Sequence, residues 1–249
     1  MTTPSERNRW IRNFTPAPNA HMRLLCFPHA GGSASYYFPL SRALSPEFDV
    51  FAVQYPGRQD RHSEPFIETI EELADRVFDV LGDLADAPVA FFGHSMGAVL
   101  AFEVTRRLEQ TGRSPSVVFV SGSRAPHRYA DDGSSRTDAD LIEVMRDLGG
   151  TDPRVLGDQD LLETFLPPFR NDFRALADYR RGPEAGVSTP LVVMTATDDP
   201  KTSEADARAW DAHTTGPVEV HTFTGGHFYL EKQAPRVIDV IAQRLRSID

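Results

Sequence analysis

Cysteine is nearly absent from this sequence. Cys26 is the single cysteine among 249 residues, so no internal disulfide can form. Disulfides accumulate in secreted proteins and are rare in reducing compartments, so a lone cysteine favours a cytoplasmic location. Cys26 itself lies inside an apolar run and ahead of the turn that follows it. We therefore interpret it as a core residue and not as a nucleophile.

Long hydrophobic runs and an excess of positive charge are also missing. No apolar run approaches the roughly 20 residues that a membrane helix needs. Residues 1–13 are polar with scattered arginines and lack the apolar core of a secretory signal. The 26 Lys and Arg are outnumbered by 36 Asp and Glu, for a net charge of −10. This balance disfavours nucleic acid and membrane surfaces as partners.

Strand-like and helix-like segments alternate along most of the chain, which predicts one α/β domain, 1–249, with a mostly parallel sheet and helices on both faces. Residues 1–20 are interpreted as a lead-in arm. The predicted strands are 22–27, 48–53, 88–92, 116–120, 190–195 and 217–223. The predicted helices include 33–44 (capped by Ser33), 67–82, 98–111, 202–213 and 234–246.

One long stretch interrupts this alternation. Roughly 60 residues within 124–185 show no strand pattern and read as three helical pieces. The breaks fall at Gly149-Gly150, at Pro153 and at Pro167-Pro168. We expect this insertion to form a helical lid over the functional site, with the polar segment 131–137 as its hinge.

The candidate nucleophile lies in Gly93-His94-Ser95-Met96-Gly97, between an apolar strand and a helical pattern. A serine at the tip of such a tight turn has a strained backbone, and residues two positions away crowd the neighbouring strand and helix. Glycine relieves that crowding. The context of strand and helix favours Ser95 as a nucleophile, although a glycine-flanked serine can also match the pattern by chance.

Serine needs a general base, and eight histidines compete for that role. His227 follows the last predicted strand, behind Gly225-Gly226, where active residues of parallel sheets gather. His221 lies within that strand. His94 is adjacent to the nucleophile, but we expect it to face away from the position that a base must occupy. His227 is therefore the candidate base, the alternative being a loop histidine without a chemical role.

A carboxylate must orient the base, and Asp198 and Asp199 both follow the strand that ends near Thr195. The order serine, aspartate, histidine is that of the α/β-hydrolase triad. We favour Asp199, because it lies further past the strand end and precedes Pro200. Asp198 stays open as the alternative.

Acyl transfer also needs N–H groups that bind the oxyanion. The residue after the nucleophile, Met96, supplies one such group, and the loop after the first strand supplies the second. That loop is His29-Ala30-Gly31-Gly32, and we assign the donor to Ala30.

The sequence resembles the stand-alone type II thioesterases of polyketide and nonribosomal peptide assembly lines over nearly its whole length. The most specific shared pieces are Pro28-His29-Ala30-Gly31-Gly32 and Tyr55-Pro56-Gly57-Arg58. Trp10-Ile11-Arg12, Leu148-Gly149-Gly150, Pro167-Pro168-Phe169-Arg170 and Gly225-Gly226-His227-Phe228 extend it. The family triad maps onto Ser95, Asp199 and His227. One departure, Thr195-Ala196-Thr197 where a glycine is frequent, keeps Asp198 open.

The resemblance implies an α/β-hydrolase fold with a lid and an editing activity. Such enzymes hydrolyse aberrant or stalled acyl groups from the phosphopantetheine thiol of acyl or peptidyl carrier proteins, with no cofactor or metal. We expect a monomer whose partner is an acyl carrier protein. The lid residues expected to line an acyl pocket, or else to be merely the buried side of lid helices, are Leu141, Val144, Met145, Leu148, Phe165, Phe169, Phe173 and Leu176.

Carrier proteins are typically acidic, so docking on this acidic chain would need a local basic patch. For each candidate we favour the plainer interpretation, ordinary solvated charge. The candidates are Arg58, Arg61, Arg170, Arg174, Arg180 and Arg181. Other functions stay open: a general carboxylesterase or lipase on the same fold, an integral releasing thioesterase, and a binding protein without activity.

Overall fold

A computed structural model describes residues 4–129 and 136–248, and in this part of the chain seven strands form one sheet. The strands are β1 Ile11–Asn13, β2 Arg23–Phe27, β3 Asp49–Val53, β4 Val89–His94, β5 Val118–Ser121, β6 Leu191–Ala196 and β7 Val218–Phe223. Their order in the sheet is β1-β3-β2-β4-β5-β6-β7. Only β1, at the edge, pairs antiparallel; the other pairs are parallel, which confirms the predicted mostly parallel sheet.

Helices cover both faces of this sheet. They are α1 Pro4–Trp10, α2 Phe38–Leu44, α3 Ile70–Leu81, α4 Met96–Gln110, α5 Asp138–Leu148, α6 Pro153–Leu156, α7 Gln159–Asp178, α8 Glu204–Arg208, α9 Tyr229–Lys232 and α10 Ala234–Arg246. Strand β2 shows why both faces need a cover: Leu25 and Phe27 belong to the core under α3 and α4, whereas Leu24 and Cys26 belong to the core under α2 and α10. Alternate residues of the strand point to opposite faces, so both sets must be buried. Cys26 is fully buried, as expected of a core residue.

The lead-in arm contains structure that the sequence did not predict. Its helix α1 leads into β1, in which Ile11 pairs with Val53. Three residues are too short a run to show the alternation typical of a strand. The side chain of Trp10 is buried under the guanidinium of Arg61, which lies 4.1 Å from the ring centroid.

Two local predictions about helices are wrong. Ser33 makes no side-chain capping bond; a short 3₁₀ helix over 34–37 precedes α2, and the Ser33 hydroxyl bonds to Ser35 instead. Helix α7 continues through Pro167 and Pro168, where a break was expected. Each proline removes a backbone donor, but the buried side of α7, which includes Pro168 and Phe169, packs against the core and holds the helix together.

Helices α5, α6 and α7 lie between β5 and β6 in the chain. Residues 131–135, the main part of the predicted hinge, lie outside the described residues. No helix in the described ranges is long and apolar enough to span a membrane. The insertion covers the carboxyl ends of the parallel strands, and this edge carries the candidate site.

Candidate active site

Ser95 lies in a strained turn between β4 and α4. Its backbone has φ 56° and ψ −120°, a conformation that residues other than glycine rarely adopt. Its N–H donates to the carbonyl of Ser121 at 2.8 Å. A Cβ atom at Gly93 would lie 2.1 Å from the carbonyl oxygen of Gly97, and one at Gly97 would lie 1.9 Å from that of Phe27. Both contacts are with backbone that cannot yield, so the two glycines are sterically required. Backbone strain of this kind is typical of functional sites.

His227 and Asp199 form a buried hydrogen-bonded pair. The distance between His227 Nδ1 and Asp199 Oδ2 is 2.8 Å, and their side chains are 3% and 0% exposed. The other carboxylate oxygen accepts the N–H of Lys201 at 2.8 Å. Because the carboxylate accepts, Nδ1 carries the proton, and Nε2 is left with a free lone pair that can act as a base.

The neighbouring aspartate takes a different position. Asp198 is exposed, and its carboxylate accepts the hydroxyl of Thr197 at 2.9 Å. Its N–H donates to the carbonyl of Gly225, which ties the loop after β6 to the loop that carries His227. The structure therefore brings Asp199, and not Asp198, to the histidine.

Ser95 and His227 line the same two cavities, which places them on one surface of the site. Within the described residues, no hydrogen bond joins the serine hydroxyl to the imidazole. Such contacts are often long in the absence of substrate and shorten when substrate binds. The structure thus gathers Ser95, His227 and Asp199 at one site, with the hydrogen bond between acid and base already formed.

Two backbone N–H groups of the loop after β2 already have acceptors. The N–H of Gly31 donates to the carboxylate of Asp172 at 2.8 Å, and that of Gly32 donates to the carbonyl of His29 at 2.9 Å. In the part of the chain that the structure describes, the N–H of Ala30 has no acceptor. Ala30 lines the cavity beside Ser95. Met96 is the first residue of α4, where N–H groups lack partners inside the helix.

The expectation that His94 faces away from the base is wrong. The ring centroid of His94 lies 4.9 Å from that of His227, and His94 bonds through Nδ1 to Ser121 Oγ at 3.0 Å. His29 lies beyond His94, at 6.2 Å between the ring centroids. Burial lowers the pKa of His29 to about 3, and burial followed by the nearby His227 places the pKa of His94 well below its usual value. Both are therefore neutral at physiological pH, and the histidine ring that packs against the base carries no charge.

A cavity of about 360 Å³ opens in front of Ser95 and His227, between the loop after β2 and the inserted helices. Six of the eight lid residues expected to line a pocket do so, namely Met145, Leu148, Phe165, Phe169, Phe173 and Leu176. Leu141 and Val144 are buried in the core instead. A second cavity of about 130 Å³ continues from the same two residues toward Tyr129 and Lys201. The site can thus hold two parts of one substrate, one on each side of the serine.

Two of the arginines considered for docking have structural roles instead. Arg58 is 6% exposed and forms a two-pronged ion pair with Asp172 of α7. Arg61 is 4% exposed and pairs with Glu64. Neither is available to a partner protein. The identity of the acidic partner of Arg58 cannot be read from spacing along the chain.

The remaining arginines of that set lie on the insertion. Arg170 pairs with Asp138, and Arg181 pairs with Glu103 of α4. Arg180 donates to the backbone of Tyr179. Arg174 is exposed. Three of these four arginines thus already donate to groups within the chain.

The sheet, its helices and the site have the arrangement of the α/β-hydrolase fold, which structural neighbours share. The chain belongs to the thioesterase domain family, whose model matches residues 22–245. It is 45% identical over 238 residues to the probable cadicidin biosynthesis thioesterase of Streptomyces griseus, covering 95% of this chain and 66% of that protein. It is 44% identical over 240 residues to thioesterase PikA5 of Streptomyces venezuelae, covering 95% and 85%.

A solved structure shows a similar fold. The type II thioesterase BorB from the borrelidin biosynthetic cluster superposes with a TM-score of 0.88 at 46% identity, covering 95% of this chain and 97% of that one. These comparisons confirm the resemblance expected from the motifs.

Proposed function

We propose that this chain is an editing thioesterase that hydrolyses aberrant or stalled acyl groups from the phosphopantetheine thiol of acyl or peptidyl carrier proteins. The observation that carries the proposal is the buried pair of His227 and Asp199 beside Ser95, in a cavity bounded by apolar lid residues. The similarity to enzymes named as biosynthetic thioesterases supports it. Polyketide or nonribosomal peptide biosynthesis is the setting that these relatives indicate.

The proposed mechanism follows from the geometry of the site. His227 Nε2 takes the proton of Ser95 as the hydroxyl attacks the thioester carbonyl, and Asp199 stabilises the imidazolium that forms. The N–H groups of Ala30 and Met96 stabilise the oxyanion. As the tetrahedral intermediate collapses, the carbon–sulfur bond breaks and His227 gives the proton to the departing sulfur, which makes the base neutral again. The thiol is a good leaving group because its pKa is about 8.5. Water, activated by His227, then cleaves the acyl-enzyme and frees Ser95.

The partner in this proposal is a carrier protein loaded with an acyl chain on phosphopantetheine. The two cavities that meet at Ser95 provide one space for the arm and one for the acyl group. We also propose that the chain acts as a monomer, that the insertion 124–185 acts as its lid and that the location is cytoplasmic. The few large apolar side chains exposed on the described surface, Phe38, Leu161 and Phe165, support the monomer.

Comparing two substrates tests the proposal against a general carboxylesterase. Hydrolysis rates are measured on acyl-carrier thioesters and on aryl esters of the same acyl group, with wild type and Ser95→Ala. The proposal expects higher kcat/KM on the carrier thioester and no activity of the variant on either substrate. A preference for the aryl ester would favour the carboxylesterase, and turnover by Ser95→Ala would show that Ser95 is not the nucleophile.

A further inference from the structure

A buried polar contact joins the lid helix α7 to the loop that carries Ala30. The carboxylate of Asp172, 1% exposed, accepts the N–H of Gly31 at 2.8 Å through Oδ2. Gly31 has φ +73°, and a Cβ atom there would lie 3.2 Å from the side chain of Phe169, one turn before Asp172 on α7. The loop thus rests against one face of this helix. Its position depends on where α7 lies.

Arg58 holds the carboxylate in place. Its two terminal nitrogens donate to the two oxygens of Asp172 at 2.5 and 2.9 Å, and one of them also donates to the carbonyl of Gly32 at 3.3 Å. Asn171 donates to the same carboxylate at 3.3 Å. Such a two-pronged pair fixes both distance and orientation. Arg58 therefore braces the loop through the carboxylate of Asp172 and directly through Gly32.

Stability alone does not explain a buried ion pair at this position. Charges buried this deeply lose their hydration, and an apolar pair of the same volume is often equally stable. What an apolar pair cannot do is accept the N–H of Gly31. That bond anchors the amide that directly follows Ala30. Ala30 itself lines the cavity, and among the described residues its N–H has no acceptor.

We propose that Asp172, fixed by Arg58, is a positioning residue that sets the oxyanion-binding amide of Ala30 by anchoring the N–H of Gly31. The inference rests on the proposed function, since it assigns the oxyanion donor to Ala30. Its consequence is that the lid helix and the oxyanion-binding loop move together. A shift of α7 near Asp172 displaces Gly31 and misaligns the adjacent donor.

The other end of the same helix segment offers a matched control. The hydroxyl of Tyr179, just after α7, donates to Glu103 of α4 at 2.9 Å, and both side chains are buried. This bond also fastens α7 to the core, but it does not touch the loop after β2. Tyr179→Phe therefore weakens the attachment of the helix while it leaves Asp172 and Gly31 in place.

Three variants separate positioning from stability. Asp172→Asn keeps an oxygen for Gly31 but loses the charge opposite Arg58. The double variant Arg58→Met with Asp172→Leu removes both charges, so no charge is left buried alone, and it removes the acceptor for Gly31 as well. Tyr179→Phe is the control. Each is measured for Tm and for kcat and KM on an acyl-pantetheine thioester, next to wild type and Ser95→Ala.

The expected result is that the double variant and Asp172→Asn rank in opposite order by Tm and by kcat. The double variant has a higher Tm than Asp172→Asn, because an unpaired buried charge costs more than an apolar pair. It nevertheless has the lower kcat, about 100-fold below wild type with KM little changed, since a misplaced donor affects the transition state. Asp172→Asn loses about tenfold in kcat or less, and Tyr179→Phe keeps the wild-type kcat at a reduced Tm.

Other outcomes overturn the inference. If the double variant is as fast as wild type, or if kcat simply follows Tm across the three variants, Asp172 has only a structural role. A loss of kcat in Tyr179→Phe equal to that in the double variant has the same meaning. Ser95→Ala separates this failure from failure of the proposed function: if that variant still hydrolyses the thioester, the nucleophile assignment is wrong, whatever Asp172 does.

Discussion

At the scale of single residues, the tandem aspartates show how a difference of one position decides a chemical role. Asp199 bonds to His227 at 2.8 Å, whereas Asp198 is exposed and bonds to Thr197. We therefore expect Asp199→Asn to reduce kcat on a thioester about 10²- to 10⁴-fold, because an amide cannot stabilise the imidazolium and can favour the wrong tautomer. Steady-state kinetics at pH 7.5 measure the effect.

The matched control is Asp198→Asn, for which kcat is expected to stay within about twofold of wild type because its carboxylate does not contact the base. A larger loss at Asp198 than at Asp199 would mean that the turn adopts a different register when substrate is bound. Circular dichroism of both variants checks that each is folded.

A second residue-scale prediction concerns the two buried neutral histidines near the site, His29 and His94. Burial, the largest cause, lowers the pKa of both His29 and His94, whereas in the unfolded chain both take up a proton near pH 6.5. The unfolded state thus binds more protons than the folded state at acidic pH. The stability that comes from keeping these histidines neutral is fully present above pH 6.5 and is lost as the pH falls. For each histidine, protonation of the unfolded chain lowers the free energy of unfolding by about 1 kcal/mol between pH 6.5 and 5.5.

Urea unfolding at pH 7.5, 6.5 and 5.5 tests this dependence. His94→Gln is expected to lower stability at neutral pH but to flatten the loss between pH 6.5 and 5.5 by about 1 kcal/mol. His62→Gln, at an exposed position, is the control for the substitution itself. An unchanged slope in His94→Gln would show that His94 is not held neutral in the folded chain.

What the sequence could predict at this scale depends on how local the signal is. Ser95 and its glycines form one contiguous turn, so the pattern alone points to them. The role of Asp172 rests on its contact with Arg58, 114 positions away, and with Gly31, 141 positions away. No periodicity or spacing encodes such a pairing, so it could only be found in the folded chain.

At the scale of elements, helix α7 combines two environments. Its first half exposes Leu161 and Phe165, which are 39% and 45% exposed, whereas its second half is fastened by Asp172 and followed by the buried Tyr179. Few buried apolar contacts and exposed side chains are typical of segments that open locally. We expect substrate-dependent movement of the insertion to involve α5, α6 and the first half of α7.

Phe165 tests whether this first half contacts substrate. Its ring lines the large cavity although it is partly exposed, so Phe165→Ala removes apolar surface that an acyl chain would cover. A loss of about 1 kcal/mol of binding corresponds to about a fivefold rise in KM for long acyl chains, with kcat unchanged. Short acetyl thioesters are expected to show no change.

Leu161→Ala is the matched control, because Leu161 lies one turn earlier on α7, is similarly exposed and does not line the cavity. It should leave KM unchanged for every chain length. Equal effects of the two substitutions would mean that they act through helix stability and not through contact with the acyl chain.

The elements also show which secondary structure could be predicted. Strands β2, β4, β5 and β6 are buried on both faces and appear as apolar runs that the sequence displays directly. The edge strand β1 has three residues and no such signal. Helix α7 crosses two prolines because its packing against the core outweighs their local preference, which a local rule cannot weigh.

At the scale of the whole molecule, alternation of strands and helices and the order serine, aspartate, histidine predicted the fold class, and the fold confirms that prediction. The site is formed where loops after four parallel strands meet at one edge of the sheet. Topology therefore explains why residues as distant as Ala30 and His227 line one cavity. The shape of that cavity depends on the inserted helices, and sequence alone did not define it.

The net charge of −10 constrains the proposed partnership with an acidic carrier protein. Two of the six candidate arginines are buried, and three others donate to groups within the chain, so a broad basic face is not supported. Two acidic surfaces do not attract each other at long range. In this account, recognition therefore depends mainly on the arm and the acyl chain inside the cavities.

The central claim is that an acyl group passes from a carrier thiol to Ser95 before water removes it. The most direct test mixes the protein with a stoichiometric acyl-carrier thioester, stops the reaction in acid within the first turnover and measures both proteins by intact mass and peptide mapping. The account predicts that the carrier returns to its free-thiol mass while the acyl mass appears on the peptide that contains Ser95. Release of the acyl group with no adduct, or an adduct on any other residue, would contradict it.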